Sequence, residues 1–166
     1  MVSRSPCVTD TNVWIDLDTA DLTDLIFRLP LSLQVPDVIV AELERPDGLT
    51  LARRGLQVRE LTGRQVQEVA RLASRYLRPS RSDLFALVLT RSQDATLLTG
   101  DRHLRSAAES EGVRVHGTLW LVDEMVAAAL LEPQEAVARL LRMVEAGRRL
   151  PAEEVARRLR IWKKDE

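Results

Sequence analysis

The sequence predicts an α/β protein of three layers, helices on both faces of a mostly parallel central sheet, followed by a helical appendage. Three observations predict it. Apolar runs of strand length alternate with helical patterns as far as His116, and each strand–helix–strand unit implies a parallel pair joined by a crossover. The run Leu84-Phe85-Ala86-Leu87-Val88-Leu89 is apolar around its whole helix, the mark of a buried central element. No strand pattern follows His116, so the rest of the chain is helical.

Val8 centres the first strand, which is closed by the acid of Cys7-Val8-Thr9-Asp10-Thr11-Asn12. A helical stretch from Asn12 to about Leu29 leads to a second strand, Leu31 to Val35. The apolar face of Trp14, Leu17, Leu22, Leu25 and Ile26 on that stretch suits either the core or an interface. Asp37 to Glu44 reads as helix with Asp37 as its N-cap, and Leu56 to Leu61 as the least well marked strand. From Thr62 to Leu77, Val66, Val69, Ala70, Ala73 and Tyr76 or Leu77 follow the i, i+3, i+4, i+7 rule of an amphipathic helix. Its other side carries Arg64, Glu68, Arg71, Arg75 and Arg78, a solvated face or a ridge for phosphates. Helix at Ser82 to Ser92, strand at Ala95 to Thr99, helix at Arg102 to Glu111 and strand at Val113 to His116 follow. After Gly117, Thr118 is placed to cap a helix running to about Leu131. Gln134 to Ala146 is the next, stopped by Gly147. The last opens at Pro151, suited to a first helical turn. Glu153 and Glu154 stand at its start and Arg157, Arg158, Arg160, Lys163 and Lys164 further on, the order the helix dipole favours. Val155, Leu159 and Trp162 mark its apolar face. Residues 1–131 are expected to form the main domain and 132–166 a helical extension packed on it.

At 166 residues the chain is long enough to bury a substantial core. A net charge of −1 excludes a global basic field of the kind that announces a nucleic-acid binder, though not a local patch. A single cysteine, Cys7, excludes a disulfide framework and a Cys/His zinc pattern. Met1 to Pro6 lacks the apolar stretch of a signal peptide, and the longest apolar runs are far too short to span a bilayer. The expected location is the cytoplasm.

Four acids carry the chemistry. Asp10 and Asp101 end strands expected to be parallel, and Asp83 lies in the first turn of the apolar helix; each has an ordinary explanation as a helix cap or dipole partner. Glu42 fits such an explanation less well. On a helical wheel it falls within the inward arc of Val38, Ile39 and Leu43, and no basic residue of that helix faces it. In parallel α/β sheets the carboxyl ends of the strands form the ligand-binding rim, so Asp10 and Asp101 are expected there, beside the start of the Asp83 helix. Carboxylates gathered away from water call for a cation between them.

The segments around these acids resemble the PIN-domain ribonucleases, the family that includes the toxins of many bacterial and archaeal toxin–antitoxin pairs. The resemblance runs through Val8-Thr9-Asp10-Thr11-Asn12, Val35-Pro36-Asp37-Val38-Ile39-Val40-Ala41-Glu42-Leu43 and Asp83-Leu84-Phe85-Ala86-Leu87. It is strongest in Ala95-Thr96-Leu97-Leu98-Thr99-Gly100-Asp101-Arg102-His103-Leu104, and extends to Val113-Arg114-Val115-His116-Gly117-Thr118-Leu119-Trp120 and to Arg149-Leu150-Pro151. The acids follow at intervals of 32, 41 and 18 residues, compatible with the family.

The resemblance implies a PIN-like nuclease domain in residues 1–131, with Asp10, Glu42, Asp83 and Asp101 as an acidic quartet, both catalytic and metal-binding. It implies Asn12 and Thr99 as polar residues that orient the carboxylates or the metal's waters. The segment Arg78-Pro79-Ser80-Arg81-Ser82 departs from any fixed pattern, so no role is carried over to it. Oxygen ligands without His or Cys suit Mg²⁺ or Mn²⁺ rather than zinc. The implied reaction is metal-dependent hydrolysis of RNA phosphodiesters by in-line attack of water. Arg102 and Arg105 are candidates to contact RNA phosphates, whereas His103 reads as an exposed helix residue. The toxin reading adds a small antitoxin whose C-terminal segment fills the acidic groove, and a homodimer. Two competitors stand beside it. One is a non-catalytic PIN-like interaction module. The other, a haloacid-dehalogenase-type phosphatase, needs a second acid two residues after the first, where this chain has Asn12.

Overall fold

The computed structural model describes residues 3–164. Five strands, β1 (Ser5–Thr9), β2 (Leu31–Pro36), β3 (Gln57–Arg59), β4 (Thr96–Leu98) and β5 (Arg114–His116), form one sheet in the order β3-β2-β1-β4-β5. Every neighbouring pair is parallel, Val8 lying opposite both Gln34 of β2 and Leu97 of β4. The chain leaves β1 toward β3 and later returns to β4 and β5 on the other side of β1. Strand order therefore reverses between β1 and β4, the kind of switch point at which open α/β sheets bind ligands.

Right-handed crossovers moving in opposite directions along a sheet place their helices on opposite faces. The architecture is accordingly a three-layer α/β/α sandwich. Helices α1 (Thr11–Thr19) and α2 (Thr23–Ile26) follow β1, and α3 (Asp37–Glu42) and α4 (Gly48–Arg53) follow β2. On the return, α5 (Gly63–Arg75) and α6 (Arg81–Ser92) precede β4, and α7 (Arg102–Ser110) precedes β5. Residues Leu84 to Thr90 of α6 are all buried, and the helix lies across β1, β2 and β4, as its all-round apolar character requires. Beyond β5, α8 (Thr118–Ala127), α9 (Pro133–Glu145) and α10 (Ala152–Lys163) pack in series; α9 meets α1 and α8, and α10 packs on α9. Ala136, Leu140, Met143, Val155 and Trp162 join the same core as the sheet.

Several elements differ from the sequence expectation, each for a local reason. The helix expected from Asn12 to Leu29 breaks after α1. Asp21 is left-handed (φ 56°) and the Leu22 amide donates back to the Leu17 carbonyl, a helix-ending turn that Gly or Asn usually makes. Trp14, Leu17, Leu22 and Ile26 are fully buried, so that apolar face belongs to the core. Helix α4 carries no amphipathic pattern long enough to read. It packs so tightly on α3 that a Cβ at Gly48 would stand 2.6 Å from the Val40 carbonyl oxygen. In α5 the buried stripe is Val69, Leu72 and partly buried Tyr76, whereas Val66, Ala70, Ala73 and Leu77 face outward. Helix α8 ends at Ala127, its exit set by left-handed Ala129. The N-cap of α8 is Gly117 rather than Thr118, and that of α10 is Pro151, one residue ahead of the helix. Asp37 opens α3 from inside, behind Pro36. Gly147 does end α9, in a left-handed conformation with the Arg148 amide donating to the Met143 carbonyl.

Candidate active site

Asp10 leaves β1 at the switch point and is completely buried. Its Oδ1 caps α1 by accepting the Val13 amide at 2.9 Å, and its Oδ2 accepts the Thr99 hydroxyl across from β4. Asp101 caps α7 in the same way, Oδ1 accepting the Leu104 amide at 2.8 Å. Buried Thr99 joins the two: while its hydroxyl donates to Asp10, it accepts the Asp101 amide at 3.0 Å. The Thr99 amide in turn donates to the His116 carbonyl at the end of β5. Capping and convergence are thus one arrangement, because parallel strands deliver their following helix starts to one rim.

Asp83 reaches the rim from α6. It forms a reciprocal capping box with Ser80, its Oδ2 accepting the Ser80 amide at 2.8 Å and its own amide donating to the Ser80 hydroxyl at 3.1 Å. Glu42 does not face the core as the wheel suggests; it is exposed. Helix α3 is only six residues long and Leu43 is already extended, so the wheel breaks where Glu42 sits and its side chain turns to the rim. There Oε2 accepts the Thr11 hydroxyl at 3.2 Å and Oε1 accepts the Ser82 hydroxyl. The hydroxyls of Thr11 and Ser82 donate to Glu42, whereas among the described residues the Asn12 side chain makes no hydrogen bond to the acids. The signal for both was modest: each stands beside an acid in the sequence.

The acids feel one another. Burial pushes the Asp10 carboxyl up to about 7 against the Thr99 and Val13 hydrogen bonds, with the charges of Asp83 and Asp16 adding to the rise. Asp83 is also raised, chiefly by burial and further by Asp101 and Glu42. Among the described residues none of the four acids is in an ion pair. Nor, among those residues, do three His, Cys, Asp or Glu side chains already close around one point. Carboxylates without a cation repel, and an open grouping is their expected arrangement. The Oδ1 of Asp83 and the Oδ2 of Asp101 accept no hydrogen bond from described residues. An ion at this rim would meet hard oxygen donors, the set that suits Mg²⁺ or Mn²⁺.

A second buried aspartate lies close by, Asp16, with no sequence signal of its own. Asp16 of α1 pairs with Arg148, Nε to Oδ1 at 2.5 Å, and accepts the Thr118 hydroxyl on Oδ2 at 2.7 Å. Neither partner is recognisable in sequence, each being more than 100 residues away.

Beside the acids runs a cleft of about 840 Å³ bounded by the starts of α7 and α8 and the α9–α10 connection. Thr99 and Asp101 line it, as do Arg102, Arg105 and exposed His103. The arginine face of α5 lies elsewhere, and two of its arginines, Arg71 and Arg75, are paired. Arg71 pairs with Glu68, Arg75 with Glu111, and Arg91 of α6 with both acids, the pattern of a solvated ion-pair network.

A family model described as a PIN domain (DUF3368) matches residues 6–164. The chain belongs to the PIN-domain family. Two solved structures share the PIN fold with it. One is a PilT N-terminus domain protein of the archaeon Sulfolobus solfataricus P2, at 14% identity and a TM-score of 0.51, covering 70% of this chain and 89% of that one. The other is PAE2754 of Pyrobaculum aerophilum, at 16% identity and a TM-score of 0.53, covering 74% and 90%. Among curated proteins no match was found. PIN domains are generally nucleases that use divalent metal ions. In this PIN domain no helix among the described residues is long and apolar enough to cross a membrane.

Proposed function

We propose that this PIN domain is a Mg²⁺- or Mn²⁺-dependent endoribonuclease, with Asp10, Glu42, Asp83 and Asp101 as its metal-holding and catalytic acids. The observation that carries the reading is the Thr99 bridge between Asp10 and Asp101 at the switch point, with Asp83 close enough to be raised by Asp101 and Glu42 and no cation paired to any of the four among the described residues. These four acids would hold the ion, which would supply charge neutralisation at the scissile phosphate and an acidified water. The chain's own residues do the rest. Thr99 fixes the rotamer of Asp10, Ser80 that of Asp83, and Thr11 with Ser82 that of Glu42. Asp10, Asp83 and Glu42 are thereby each held by a hydrogen-bonding partner, which orients them before substrate arrives. Arg102 and Arg105, at the mouth of the cleft, are assigned to RNA phosphates.

The toxin role, a small antitoxin partner and a homodimer form the wider part of the proposal. They rest on the sequence resemblance and are tested by co-purification with the product of a neighbouring short gene and by the mass of the complex.

The central test is cleavage of mixed RNA with added Mn²⁺ by the wild type and Asp10→Asn. Loss of several kcal/mol of transition-state stabilisation corresponds to a fall on the order of a thousandfold. Equal cleavage by both proteins would mean that the acids are not the site.

A further inference from the structure

We infer that the cleft beside the acids is a nucleotide subsite, in which a base of single-stranded RNA stacks on the His116–Trp120 pair while its flanking phosphates meet Arg102, Arg105 and Arg149. The inference rests on the nuclease reading and adds to it the form of the substrate, a strand with an unpaired base.

Thr99 and Asp101, which belong to the acidic rim, also line the cleft, so a nucleotide seated there lies next to the acids. The cleft also holds a ready-made stack: the rings of His116 and Trp120 are 4.1 Å apart and within 7° of parallel. Both are only partly buried, whereas Trp14 and Trp162 are buried. Burial and the Arg105 charge hold His116 below the usual histidine range, so the ring is neutral at physiological pH. A flat, uncharged ring pair open to a cleft is a platform for a base.

Arg158 lines the same cleft, but Asp123 at 2.7 Å and Glu154 at 2.9 Å hold it. Arg102 and Arg149 have no ion-pair partner among the described residues, and Arg105 approaches Glu109 only to 3.9 Å. These cations are therefore available to an anionic ligand. Gly117 keeps the way between the acids and the stack clear. A Cβ there would stand 3.2 Å from the Arg105 guanidinium and 3.3 Å from the Thr99 carbonyl oxygen. An acidic peptide would satisfy the arginines and leave the rings unused; a nucleotide uses both.

The test is a binding titration of the full chain, with Ca²⁺ in place of Mg²⁺ or Mn²⁺ to suppress cutting. Its probes are a short single-stranded RNA of mixed sequence and an abasic strand of equal length. The intact strand is expected to quench tryptophan emission, and Trp120→Leu to remove the quench and weaken binding roughly tenfold. The abasic strand is expected to bind wild type about as weakly as the intact strand binds Trp120→Leu, and Arg149→Ala to lower the salt slope by about 0.7. Equal affinity of wild type for both strands, with unchanged emission, overturns the subsite. That comparison needs no variant, so misfolding of Trp120→Leu does not blunt it. The two readings fail separately. Undiminished cutting by Asp10→Asn sinks the nuclease, while equal binding of both strands with Asp10→Asn inactive sinks the base site alone.

Discussion

Asp10 and Asp16 lie six residues apart on one strand–helix unit, both buried, and the fold treats them in opposite ways. Asp16 receives a guanidinium from Arg148 and a hydroxyl from Thr118, so its charge is answered within the protein. Asp10 receives two hydrogen bonds and no cation, and its surroundings include further carboxylates. A buried carboxylate with a built-in counter-charge is a structural tie, here between α1, α8 and the segment after α9. One left without a counter-charge among like charges is a candidate to meet a cation from outside, which is the role proposed for Asp10.

The largest expected effect that separates the two is catalytic: Asp10→Asn is expected to lower RNA cleavage about a thousandfold, whereas changes at Asp16 are expected to act on stability. The next lies in the pH dependence of metal-free protein. The Asp10 carboxyl is raised to about 7 from its ordinary value of 3.8, so the folded state keeps its proton while the unfolded chain loses it. That stability is fully present below about pH 4 and is lost as pH rises toward 7, by up to roughly 4 kcal/mol. Thermal melting should therefore be higher at pH 5 than at pH 8 without metal. Millimolar Mg²⁺ or Mn²⁺ should narrow the gap and Asp10→Asn remove most of it. A metal-free melting temperature that does not fall with rising pH would contradict the account of Asp10.

Arg148→Ala follows. Removing one partner of a buried pair leaves Asp16 uncompensated and should cost about 3 kcal/mol, the lower end of the usual range because Arg148 keeps some exposure. Urea denaturation measures it, and a change within experimental error would reduce the pair to a surface contact. The smallest effects come from two threonines of the same shape and opposite use. Thr99→Val strips Asp10 of a donor and the Asp101 amide of its acceptor, costing about 1–3 kcal/mol together with activity. Thr118→Val leaves Asp16 its arginine and should cost about 1 kcal/mol in stability. The reverse ranking would mean that the wrong aspartate has been read as the open one.

Much of the site is legible in the chain because its acids have local explanations that coincide with their placement. Asp10 and Asp101 cap the helices that follow parallel strands, and the same strand ends make the rim. Asp83 heads a helix whose all-round apolar sequence declares it buried. Glu42 is where the local pattern misleads. The wheel turned it inward, and a six-residue helix turns it to the rim. Helix α4, the break at Asp21 and the true inward stripe of α5 were not legible, since each depends on what packs against a short or weakly patterned segment.

By itself the sequence determined the alternation of strands and helices, the central α6 and the placement of Asp10, Asp83 and Asp101 at helix starts, because periodicity, capping and apolar runs are local physics. Only the tertiary structure decided which aspartate is answered and which is left open. Arg148, Thr118 and Thr99 come to Asp16 and Asp10 across 132, 102 and 89 residues of chain, and a carboxylate's charge state depends on what surrounds it in space.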